Sequence, residues 1–118
     1  MQIEQRKAGD VIVLKVVGNI TTGAGDDERL KEAVAALLQE GQRKLVLDLG
    51  SVAYMDSSGL GRLIQIHSIA ARQGGALKLL NATKRLKDLL VVTKLLVVFD
   101  AFDTEEEALA SFTEAPSA

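Results

Sequence analysis

The sequence has no cysteine, no tryptophan and a single histidine in 118 residues. Without thiols there is no disulfide framework and no thiolate chemistry, and one imidazole alone argues against a zinc site, so no metal or other cofactor is expected. Aromatic residues make up only 3% of the chain, which leaves Leu, Val, Ile and Ala to build the core, a composition suited to α/β packing. No apolar run reaches membrane-spanning length, and the opening Met1-Gln2-Ile3-Glu4-Gln5-Arg6-Lys7 has no apolar signal region. The expectation is a cytoplasmic protein with no membrane partner. Charge of one sign is also missing. Fourteen basic and 16 acidic residues leave a net charge of −2, which argues against a nucleic-acid-binding module.

What is present is an ordinary soluble composition, 47% hydrophobic and 25% charged, in a length that suits one domain spanning 1–118, with about 113–118 as a flexible tail. Apolar spacing predicts strands at 3–6 and 11–17 with Ala8-Gly9-Asp10 as the turn between them, then a loop over 18–25. A helix over 26–40 follows, with Asp26, Asp27 and Glu28 in its first turn and Gly41 as its stop. The near-continuous apolar run 45–49 reads as a central strand buried on both faces. A helix from Ser57 or Ser58 to about Gln73 ends at Gly74-Gly75 and leads to a strand at 76–80. Thr83 caps a short helix, 95–99 is apolar enough for a last strand, and Thr104 with Glu107 fits a capping box on the final helix. The order is ββαβαβαβα, an opening hairpin followed by parallel strands in a mixed sheet with about four helices. Two charge clusters stand out, basic at Lys84, Arg85, Lys87 and Lys94 and acidic from Asp100 onward, and both read as solvated faces.

The chain is organised around Val52-Ala53-Tyr54-Met55-Asp56-Ser57-Ser58-Gly59-Leu60-Gly61, a junction between the central strand and the second helix. Asp56 or Ser57 suits the N-cap, where a short side-chain oxygen accepts from an unsatisfied backbone N–H of the first turn. Gly59 and Gly61 leave that turn bare of bulky side chains. A hydroxyl there sits in the positive field of a helix N-terminus, which favours a phosphate, so the junction reads as a phospho-acceptor serine. The same pattern also fits a plain cap. A Ser–His–Asp hydrolase is excluded: the string is not G-x-S-x-G, and His67 lies ten residues further along the same helix, about 15 Å away at the α-helical rise. Gly23-Ala24-Gly25 lacks the G-K-[ST] of a P-loop. A phospho-receiver reading built on Asp48 fails because the chain opens with a hairpin and has no acidic pair after a first strand.

The string Asp56-Ser57-Ser58-Gly59-Leu60-Gly61, preceded by Tyr54-Met55, resembles the STAS family, the bacterial anti-sigma factor antagonists and the related sulphate-transporter domain. The similarity spans nearly the whole chain, from the hairpin ending in Gly18 to the short helix containing Leu86 and Leu90. It implies a STAS-like α/β fold and a protein that is not an enzyme. It also implies that Ser57 is phosphorylated, with Ser58 the second candidate. The implied partners are an anti-sigma factor that is itself a GHKL-type serine kinase, and a PP2C-type phosphatase that restores the unphosphorylated, binding-competent state. The partner surface is expected at Asp56, Ser57, Ser58, Gly59 and Leu60 and at Asn19 and Thr21 in the loop 19–22, with the free protein a monomer. One departure is clear. Many antagonists carry a Gly-Glu-Leu/Ile-Asp acidic pair after the second strand, whereas here Gly18-Asn19-Ile20-Thr21 stands in its place, with Asp26 and Asp27 as possible substitutes. The alternative function is a constitutive STAS protein-binding module in a transport or signalling complex, with Ser57 only a cap.

Overall fold

The computed structural model describes residues 1–21, 23, 25–94 and 99–113. Its elements follow in the order β1 (Gln2–Ala8), β2 (Val11–Ile20), α1 (Asp26–Gln39), β3 (Lys44–Met55), α2 (Ser57–Arg72), β4 (Ala76–Leu80), α3 (Lys84–Val92), β5 (Ala101–Phe102) and α4 (Glu105–Thr113). The expected ββαβαβαβα order is the one observed. The five strands lie in sequence order across one sheet, with β1 antiparallel to β2 and every other pair parallel. Parallel neighbours need crossovers, and the helices supply them.

Strand alternation sorts the core into two layers. Ile12, Leu14 and Val16 of β2, Leu45, Leu47 and Leu49 of β3, and Leu77 and Leu79 of β4 join the apolar residues of α1, α2 and α3 in one cluster. Val11, Val13, Val46 and Leu80 meet Ala108 of α4 in the other. β3 is therefore central and covered on both sides, with Leu45, Val46, Leu47 and Leu49 fully buried. Helix ends follow local chemistry. The Thr83 hydroxyl accepts from the Leu86 N–H at 3.3 Å, and that of Thr104 accepts from the Glu107 N–H at 3.2 Å. Gly75 N–H reaches back to the Ala70 carbonyl at 2.8 Å as α2 ends.

Two sequence expectations change. β2 does not stop at Val17 but runs through Gly18 and Asn19 to Ile20, and β3 does not stop at Leu49 but runs to Met55. The two strands hold each other in register over these extra residues, Asn19 opposite Tyr54 and Ile20 opposite Met55, with irregularities at Lys15/Val17 and at Gly18/Asn19. Gly18, at φ 108, supplies the backbone conformation that the second irregularity uses. The last strand expected over 95–99 falls on residues of which 95–98 lie outside those described, and the described fifth strand is the two-residue β5. The tail beyond residue 113 also lies outside them. Among the described residues no helix is long and apolar enough to cross a membrane.

Candidate functional site

The carboxyl ends of β2 and β3 and the amino ends of α1 and α2 meet at one end of the sheet. Asp56, with extended backbone at φ −83 and ψ 173, is the N-cap of α2, and its Oδ1 accepts from the Gly59 N–H at 2.6 Å. Ser57 is thus the first helical residue rather than the cap. Ser57 and Ser58 are both exposed, and neither hydroxyl is hydrogen-bonded to a described residue. Two free hydroxyls in the first turn of a 16-residue helix stand in its positive field and in reach of solvent.

Gly59 and Leu60 lie underneath this surface, both buried. A Cβ on Gly59 would fall 2.8 Å from the Ile20 carbonyl oxygen and 3.0 Å from Met55 Cγ, so the glycine lets the end of β2 pass beneath the helix start. Gly61 has nothing within 4 Å of such an atom. The two glycines therefore differ: Gly59 serves a close backbone approach, and Gly61 leaves the exterior open.

Asn19 is exposed, in β2 rather than in a loop, and Thr21 is partly buried just beyond it; Thr22 lies outside the described residues. The acids proposed as stand-ins for the missing pair are turned inward. Asp26 is buried, and its Oδ2 accepts from Thr21 N–H at 3.4 Å and Thr21 Oγ1 at 3.3 Å. Asp27, also buried, takes a 3.1 Å bond from Arg62 Nε. Arg62 is the residue that sequence reasoning missed. Its guanidinium also contacts Glu28 at 2.9 Å and Gln65 at 2.6 Å, pinning the start of α1 to α2 one turn beyond the serines. A planar fork meeting several acceptors suits Arg over Lys, yet the pairing spans 35 positions and leaves no local trace. His67 is half-buried, its ring edge-on to Phe99 with centroids 5.1 Å apart, and takes no part in this end of the molecule.

A mixed sheet opened by a hairpin, with a capped helix leaving its central strand through D-S-S-G, is the architecture of a STAS domain. The chain belongs to the STAS domain family, whose sequence model matches residues 2–108. Among its relatives is the anti-sigma F factor antagonist of Paenibacillus polymyxa, 25% identical over 109 residues that cover 92% of both chains. The anti-sigma-B factor antagonist of Bacillus subtilis is 38% identical over 71 residues, 60% of this chain and 64% of that one. The fold is shared with the Bacillus cell fate determinant SpoIIAA, solved in its phosphorylated form, at a TM-score of 0.71 and 18% identity over 94% of this chain and 99% of that one.

Proposed function

We propose that this chain is an anti-sigma factor antagonist whose binding is switched off by phosphorylation of Ser57. The observation that carries the reading is the division of labour at the start of α2: Asp56 does the capping, which leaves the Ser57 hydroxyl exposed and uncommitted. The names of the relatives support the target class, and the existence of a phosphorylated form of SpoIIAA supports the type of switch. The partner is an anti-sigma factor of the GHKL serine-kinase type, and a PP2C-type phosphatase resets the switch. The protein is a substrate and a ligand, and it catalyses nothing itself. It acts in the cytoplasm.

The switch works on binding and not on folding. A phosphoserine adds about −1.5 to −2 charges, which a helix N-terminus tolerates or favours by roughly 0.3 to 1 kcal/mol. Inside an interface shaped for a neutral hydroxyl, the same group must be desolvated, and about 3 kcal/mol of penalty weakens binding a hundredfold. Asn19, Thr21, Asp56 and Ser58 flank the acceptor and form the surface that the partner covers. Gly59 and Leu60 support it from below.

Purified chain is incubated with ATP and, one at a time, the kinase-type anti-sigma factors encoded in its source genome, then weighed intact. The expected result is one phosphate, lost in Ser57→Ala and kept in Ser58→Ala. Ser57→Ala binds permanently, and Ser57→Asp binds poorly with a near wild-type melting temperature. Phosphate that survives Ser57→Ala and disappears in Ser58→Ala overturns the residue assignment. Stable binding to a transporter subunit with no phosphate supports the constitutive-module reading instead. The inward commitment of Asp26 and Asp27 favours that second reading to one degree, since neither of these two acids stands in for the missing pair on the outer face.

A further inference from the structure

The pairing of β3 with β4 ends at Asp48 opposite Leu80, but β3 continues to Met55 with β2 as its only strand neighbour among the described residues. β4 is turned aside at Asn81, whose φ of 57 sends the chain into α3 and whose Nδ2 holds Asp48 Oδ1 at 3.3 Å across the fork. An open groove lies beyond that fork, with residues 52–55 on one wall and Arg85, Leu86 and Leu89 on the other. Further along α3, in helical register with Arg85 and Leu89, Val92 is 78% exposed, while Tyr54 stands 47% exposed on the strand side. The groove opens at Met55, next to the cap of α2.

Three properties of the groove select an occupant. A strand edge without a neighbour presents backbone donors and acceptors to an added extended segment. The exposed Tyr54 and, on the groove-side face of α3, Val92 call for apolar side chains on that segment. The charge is basic: Lys87 is neutralised by Asp103 at 2.6 Å, whereas Lys84 and Arg85 are exposed and ion-paired with no described acid, Asp88 included. We propose that this groove is a second docking site, which takes an extended apolar segment of the anti-sigma factor carrying an acidic side chain to Arg85. The inference rests on the antagonist reading and adds to it an anchor that phosphorylation does not touch. Because the groove adjoins Asp56, one partner covers Ser57 and fills the groove together.

The test uses the anti-sigma factor that binds the unphosphorylated full chain in the kinase experiment above. Calorimetric titration of Arg85→Glu and Tyr54→Ser is expected to show affinity falling tenfold or more in each, with the melting temperature unchanged and Ser57 still phosphorylated at saturating kinase. A photo-crosslinking amino acid in place of Val92 is expected to capture an acidic, apolar segment of the anti-sigma factor. Wild-type affinity in both variants overturns the proposal and leaves the antagonist reading standing, as does a crosslink to a second copy of this chain or to a basic segment. If no anti-sigma factor binds the wild-type chain, the antagonist reading itself falls and takes the groove's assigned occupant with it.

Discussion

The two halves of β3 are made of one continuous strand and live in different surroundings. From Lys44 to Asp48 it has neighbours on both edges, and Leu45, Val46 and Leu47 are fully buried. Past Leu49 it has, among the described residues, a strand on one edge only, and of residues 50–55 Val52 alone is buried, while Ser51, Ala53 and Tyr54 are exposed. The first half holds the domain together; the second carries the chain from the core to the serines. The lesson is that a strand changes role where one neighbour ends, without any break in its own backbone.

Substitutions along this line separate the halves. The largest effect is expected from Leu47→Ala, about 2–5 kcal/mol lost in chemical denaturation, because a fully buried central Leu gives up both transfer energy and packing. A loss under about 1 kcal/mol would break the comparison at its base. Next comes Gly59→Ala, where the strand hands over to the helix. The new methyl meets the Ile20 carbonyl at 2.8 Å, a backbone atom that cannot swing away, and a cost of about 1–3 kcal/mol is expected. Gly61→Ala sharpens the point with the opposite sign. Nothing lies within 4 Å, so the helix gains roughly 0.5–1 kcal/mol from the better helix former, read as a raised melting temperature. The smallest effect on folding belongs to Tyr54→Ser in the second half, within about 0.5 kcal/mol of wild type, because the side chain is half exposed and covers little of the core. A large loss of stability there would make the second half part of the core and remove the ground for treating its edge as a docking surface.

The amino-acid string alone determined most of what depends on one turn or one strand. The opening hairpin, the caps at Thr83 and Thr104, the helix stop at Gly74-Gly75 and the doubly buried run around Leu47 all follow from side chains acting on their own stretch of backbone. At Asp56-Ser57-Ser58-Gly59 the string offered either Asp56 or Ser57 as the cap of α2, and the 2.6 Å bond to Gly59 gives that role to Asp56. Tertiary structure decided the rest. Gly18-Asn19 and Gly50-Ser51 look like strand breakers by propensity, yet each segment is kept extended by the parallel partner beside it, and that partner lies more than 30 residues away. The same holds for Arg62 against Asp27 and for the groove between β3 and α3, which exists because β4 ends while β3 goes on. Local propensity acts over a few residues, whereas register, ion pairs across helices and a free strand edge arise only once distant segments share a surface, and no window along the chain contains both of the groups involved.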